Sequence, residues 1–190
     1  GTPVALVMIS GRPYALGKFS DRLGAVVQCF FPGEEGGSAL SGVLAGRVSP
    51  SGRLPVSIPR TPDGQPATYL TPALGLRSDV SNIDPTPLWP FGHGLSYTDF
   101  RWDDVEVAGR ALAATTRESP FELETDAAVE LSMTVTNTGG LAGADVVQLY
   151  LHDPIAQVTR PDVRLVGYAR LALDPGRSAR LTFGFSADLT

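Results

Sequence analysis

Two nearly unbroken apolar runs constrain this chain more than any other feature. Val4-Ala5-Leu6-Val7-Met8-Ile9 and Ala25-Val26-Val27-Gln28-Cys29-Phe30-Phe31 read as parallel strands, because continuous apolar segments of this length suit strands covered on both faces. Ser10-Gly11-Arg12-Pro13 closes the first run and Pro32-Gly33 the second. Residues 14–24 leave room for a short crossover helix with Tyr14, Leu16 and Phe19 on its buried side. After the second run Ala39, Leu40, Val43 and Leu44 recur at helical spacing, and Gly46 stands where a helix would be capped. Strand, crossover, strand and helix make a βαβα arrangement whose crossover is expected to be right-handed.

That order carries Ser10-Gly11-Arg12-Pro13 and Pro32-Gly33-Glu34-Glu35-Gly36-Gly37 to the same kind of edge, outside the carboxyl ends of parallel strands. Open α/β sheets bind their ligands at that edge. Glu34 and Glu35 admit two readings there. Carboxylates at a helix start are favoured by the macrodipole, by roughly 0.3–1 kcal/mol each. A carboxylate on a glycine-lined turn also suits a general acid or an acceptor for substrate hydroxyls, and the glycines let a ligand approach the backbone. Arg12 either clamps an anionic group or pairs with an acid such as Asp21. A phosphate cradle does not fit, since no Gly-Lys-Ser/Thr follows the loop and two carboxylates would repel phosphate.

Composition narrows the function classes. The 190 residues carry a net charge of -5, which argues against nucleic-acid binding and against a basic membrane-surface role. The second half holds most of the acidity: residues 98–190 carry fourteen acids against eight bases, read as a solvated acidic surface. Cys29 is the single cysteine, so no intrachain disulfide forms, and its place in an apolar run reads as a small buried hydrophobe. With only His93 and His152 besides, a Cys/His metal site is all but excluded and no cofactor is expected. No apolar run reaches the ~20 residues of a membrane span; the compartment, cytoplasmic or secreted, stays open, as does an oligomer. The chain enters a core strand directly after Gly1-Thr2-Pro3, as a fragment of a longer protein would.

Nine of the sixteen prolines fall between Pro50 and Pro90, so this stretch is expected to be irregular. Pro55 and Pro59 forbid a central strand there, but Leu54, Val56 and Ile58 alternate as an edge strand would. The cluster Trp89-Pro90-Phe91-Gly92-His93-Gly94-Leu95-Ser96-Tyr97 reads as a structural turn whose aromatics dock one domain on another. His93 lacks the Gly-x-Ser-x-Gly elbow and the acid of a catalytic set.

From Phe100 the period changes to two. Phe121 and Leu123, then Val129, Leu131, Met133 and Val135, then Val147, Leu149 and Leu151, then Val163, Leu165, Ala169 and Leu171, and last Leu181, Phe183 and Phe185 mark apolar faces. Asn137-Thr138-Gly139-Gly140, His152-Asp153-Pro154 and Asp174-Pro175-Gly176 separate them. The expected fold is therefore α/β followed by all-β. Residues 1–97 are expected to form an α/β part, and residues 98–190 a fibronectin III-like β-sandwich.

The order of short motifs adds a resemblance. Ser10-Gly11-Arg12-Pro13, Pro32-Gly33-Glu34-Glu35-Gly36-Gly37, Ser51-Gly52-Arg53-Leu54-Pro55, Phe91-Gly92-His93-Gly94-Leu95-Ser96-Tyr97, Val135-Thr136-Asn137-Thr138-Gly139 and Val146-Val147-Gln148-Leu149-Tyr150 occur in sequence. Together they resemble the C-terminal part of family-3 glycoside hydrolases of the β-glucosidase and β-xylosidase type, over nearly the whole chain. The resemblance implies a TIM-barrel-like domain with the nucleophilic aspartate, an α/β sandwich domain that completes the pocket, and a fibronectin III-like domain. This chain would hold the last part of the second and most of the third. In some members the acid/base lies in the Pro-Gly-x-Glu-Gly motif, which makes Glu35 the candidate here; in many β-glucosidases it lies upstream of the first strand. Glu34 and Arg12 are the candidates for substrate binding.

The implied function is part of a retaining, exo-acting β-glycosidase acting on terminal β-D-glucosyl or β-D-xylosyl residues. Its partners would be an oligosaccharide or β-glycoside substrate and the N-terminal barrel domain of the same protein, with no nucleic acid and no membrane. Alone, this chain would be inactive for want of the nucleophile. The rival reading is a non-catalytic carbohydrate-binding or cell-surface module built on the same pair of domains.

Overall fold

The computed structural model describes residues 1–64, 68–112, 128–153 and 158–186. It divides into two units: one comprises Gly1–Val48, Arg53–Gly94 and Ile155–Asp162, the other Ser49–Gly52, Leu95–Pro154 and Val163–Thr190.

In the first unit β1 (Ala5–Met8) pairs in parallel with β2 (Ala25–Gln28), in the register Ala5↔Ala25 to Met8↔Gln28. The backbone N–H of Cys29 continues the ladder to Met8 O at 2.9 Å. Within these 190 residues both strands are half-buried. A two-stranded sheet has no inner strand, so each strand keeps a free edge among the described residues. Cys29 is likewise only half-buried, though enough apolar cover remains to push its thiol pKa up.

The crossover holds a short helix where the sequence leaves room for one. α1 spans only Gly17–Ser20, and of the three expected contacts Leu16 alone is buried, while Tyr14 and Phe19 stay exposed. One turn of helix has room for one inward side chain. α2 (Gly36–Leu44) runs where the spacing places it and ends as expected at Gly46, whose φ is +71°. Gly46 N–H donates to Val43 O and Arg47 N–H to Gly42 O, the paired closure of a Schellman motif.

Residues 54–58 form no strand. Ile58, nearly fully buried, makes a single antiparallel bridge to Trp89, since flanking prolines supply no further N–H for a ladder. Among the described residues, the segment after it holds the 3-10 turns Pro62–Gly64 and Ala73–Gly75 and is otherwise irregular. The Trp89–Gly94 cluster is the turn it reads as: His93 N–H donates to Pro90 O, and Leu54 exchanges backbone bonds with Gly92 and His93. Phe91 stacks on Tyr69 at 4.2 Å between centroids and Trp89 faces His93 at 6.3 Å.

The second unit is the sandwich. β3 (Phe100–Val107), β4 (Arg110–Ala111), β5 (Ala128–Asn137) and β8 (Ser178–Ser186) form one sheet in the order β4-β3-β5-β8, and β6 (Gly143–Leu151) with β7 (Arg164–Leu173) forms another. Met133, Val135, Val147, Leu181 and Phe183 fill the core between them, the alternate residues that the period of two selects. The expected strand at Phe121 and Leu123 lies outside the described residues.

Asn137 explains the Val135–Gly139 motif. Its fully buried side chain accepts from Thr98 Oγ1 and Gly139 N–H and donates to Leu141 O and Leu173 O. Four bonds satisfy the whole amide and tie the ends of β5 and β7 to the intervening turn.

Candidate active site

The site grows from the ends of β1 and β2. Gln28, the polar residue closing an otherwise apolar strand, donates from Nε2 to Ser10 Oγ at 3.1 Å. Ser10 Oγ in turn donates to Arg12 O at 3.0 Å. This relay binds the turn after β1 to the end of β2, so the Arg12 turn and the glutamate turn emerge from one edge of the parallel pair. Ligands of α/β sheets bind at this edge.

The glutamate turn has its own construction. Gly33 has a φ of +73°, and Gly36 N–H donates back to Gly33 O, leaving Glu34 and Glu35 at the tip. A Cβ on Gly36 would stand 2.7 Å from the Pro32 ring, so the proline packs where only glycine fits. Glu35 is the N-cap of α2, and its carboxylate makes no capping hydrogen bond to the helix. Ala39 N–H takes the Glu35 carbonyl instead. Glu34, Glu35 and Arg12 are all exposed. The Arg12 guanidinium lies 5.5 Å from the Tyr14 ring centroid, a cation–π contact that orients it, and no ion pair of Arg12 with Asp21 is formed.

Carboxylates at a nine-residue helix's start gain from its macrodipole, but a purely structural N-cap would use its oxygens on the first N–H groups. Glu35 does not. Its carboxylate stays available to accept from a hydroxyl or, protonated, to donate.

Sequence reasoning overlooked three residues of this edge: Ser10 and Gln28, which tie the two turns, and Phe31, which is 81% exposed. The one polar residue of the second run was the available signal for the tie. His93 stands apart from this edge, in the aromatic turn, with its pKa lowered first by burial and then by Arg53. Among the described residues no group of three His, Cys, Asp or Glu could hold a metal ion.

Comparison with known proteins places this arrangement. The family model of the glycosyl hydrolase family 3 C-terminal domain matches residues 1–97, and that of the fibronectin type III-like domain matches residues 145–190. The periplasmic β-glucosidase of Salmonella typhimurium is 38% identical over all of this chain, and a β-xylosidase of Formosa agariphila is 33% identical over 99% of it. A β-glucosidase structure from Erythrobacter marinus superposes on 97% of the chain with a TM-score of 0.82 at 35% identity. That of Listeria innocua β-glucosidase with isofagomine covers 98% with a TM-score of 0.84 at 27% identity. The chain spans about a quarter of the length of these proteins, from 23% to 26%, and matches their C-terminal region. This chain belongs to glycosyl hydrolase family 3, whose C-terminal domain it carries.

Proposed function

We propose that this chain is the C-terminal part of a retaining, exo-acting β-glycosidase that releases terminal β-D-glucosyl or β-D-xylosyl residues. The observation that supports the reading best is the tied pair of turns, which sets the turn carrying Arg12 and the turn carrying Glu34 and Glu35 at the carboxyl edge of the parallel strands. A sugar ring offers hydroxyl donors and acceptors, and such an edge meets it with two carboxylates and a guanidinium. The nucleophile belongs to a barrel domain elsewhere in the same polypeptide.

In this reading Glu35 is the acid/base. Its carboxylic acid protonates the glycosidic oxygen as the nucleophilic carboxylate attacks the anomeric carbon. The resulting carboxylate then takes a proton from the water that cleaves the glycosyl-enzyme. The two carboxyl groups of a retaining enzyme stand about 5–5.5 Å apart, which requires the barrel to face this edge. Glu34 and Arg12 hold sugar hydroxyls beside it.

The test is hydrolysis of aryl β-glucosides and aryl β-xylosides by the full-length protein and by residues 1–190 alone. The full-length protein is expected to turn over at least one of them and the 190-residue chain neither. Turnover by the purified short chain would overturn the proposal, and inactivity of the full-length protein would favour a carbohydrate-binding module.

A further inference from the structure

Gln28 places a side-chain amide in an otherwise apolar run, half-buried at the end of β2. An amide withdrawn from water costs free energy unless it is paired. Its partner is Ser10, and the direction of the contact matters. Gln28 Nε2 donates to Ser10 Oγ at 3.1 Å, and the hydroxyl spends its single proton on the carbonyl of Arg12 at 3.0 Å. Amide, hydroxyl and carbonyl form a one-way relay that ends on the backbone of Arg12.

The turn has no ladder to hold it. Among the described residues, no backbone–backbone hydrogen bond involves residues 10–15, so the relay is the hydrogen-bonded tie between the Arg12 backbone and the end of β2. The guanidinium is held separately, 5.5 Å from the Tyr14 ring centroid. Arg12 is thus fixed twice, its carbonyl by the relay and its charged group by an aromatic face. A group that meets a substrate hydroxyl needs such preorganisation, because a misplacement of about 1 Å can cost on the order of a hundredfold in rate.

We infer that Gln28 and Ser10 are positioning residues that set Arg12 for sugar binding. The inference rests on the glycosidase reading and deepens it. Its test is a double-mutant cycle in the full-length protein, with kcat/KM measured on an aryl β-glucoside and an aryl β-xyloside and Tm measured alongside. Arg12→Ala should lower kcat/KM by about ten- to hundredfold, as loss of a charge-assisted hydrogen bond does. Gln28→Leu and Ser10→Ala should each lower it by about three- to thirtyfold, and Ser10→Thr, which keeps the hydroxyl, should stay within about twofold of wild type. In the Arg12→Ala background, Gln28→Leu should cost less than about twofold more, since the group it positions is gone. Gln28→Glu adds a readout by pH. As a carboxylate the new side chain only accepts and draws the Ser10 proton away from the Arg12 carbonyl, whereas as an acid it donates like the amide. The ratio of Gln28→Glu to wild-type activity should therefore rise as pH falls toward the ordinary glutamate pKa of about 4.3.

A Gln28→Leu loss as large in the Arg12→Ala background as in wild type would show a general effect on the fold and would overturn the inference. So would unchanged kinetics in Gln28→Leu and Ser10→Ala, an Arg12→Ala protein as active as wild type, or a Gln28→Glu ratio that is flat with pH. A wild-type protein inactive on every β-glucoside and β-xyloside would instead overturn the glycosidase reading, and the positioning role with it.

Discussion

Glu35 separates three roles by substitution. As acid/base, Glu35→Ala in the full-length protein should slow substrates with poor leaving groups far more than activated aryl glycosides, which need little protonation. Azide should then restore part of the turnover by attacking the glycosyl-enzyme in place of activated water. If Glu35 binds sugar hydroxyls, both substrate types lose activity alike without azide rescue. If it serves only the helix start, kcat/KM hardly changes and stability falls by roughly 0.3–1 kcal/mol. His93 offers a test by pH. Its folded pKa is lowered from the ordinary 6.5, first by burial and then by Arg53. A lowered folded value means the unfolded chain binds the proton more tightly. The contribution is therefore complete above the unfolded pKa and is lost as pH falls through the folded one. Urea unfolding should show stability declining below pH 6.5, and His93→Gln should flatten that decline; identical slopes in the two proteins would contradict the assignment. Neither histidine nor glutamate behaviour is legible from local pattern alone, because both depend on partners distant in sequence.

Turns were the most legible elements, since their chemistry is local. Gly46 closes α2 and Asp174-Pro175-Gly176 joins β7 to β8, with Arg177 N–H returning to Asp174 O. Gly46→Ala should cost about 1–2 kcal/mol, the strain of a side chain in left-handed backbone, measured by denaturant unfolding. Strand faces in the sandwich were equally readable from the period of two. β3 and β4 were harder: Asp104, at φ +49°, breaks the register between Asp103 and Glu106, so the apolar alternation is interrupted. Arg180 reaches that irregularity, donating to Asp104 O, Glu106 and Ser132. Asn137 reads as a turn residue in sequence and is in fact a buried hub. Asn137→Ala should destabilise the chain by roughly 2–4 kcal/mol, because it orphans four partners, three of them in buried or half-buried residues. A loss below ~1 kcal/mol would contradict that role.

On the scale of the whole molecule, the apolar runs located β1 and β2 and their parallel pairing. A run's composition reports the cover that a strand can accept, and only the surrounding chain decides what covers it. The candidate edge was legible as an edge. Its assembly was not, because the Gln28–Ser10 contact joins residues eighteen apart. A domain boundary between Tyr97 and Phe100 is our proposal, and limited proteolysis checks it: early cuts should fall in residues 60–88 or 108–119, and early cleavage inside Val129–Val135 would contradict a folded sandwich. The central claim concerns chemistry. It is tested most directly by proton NMR of the first sugar that the full-length protein releases from a β-glucoside or β-xyloside. Double displacement predicts the β-anomer first, with the α-anomer growing only by mutarotation. Release of the α-anomer first, or no release at all, would contradict the account.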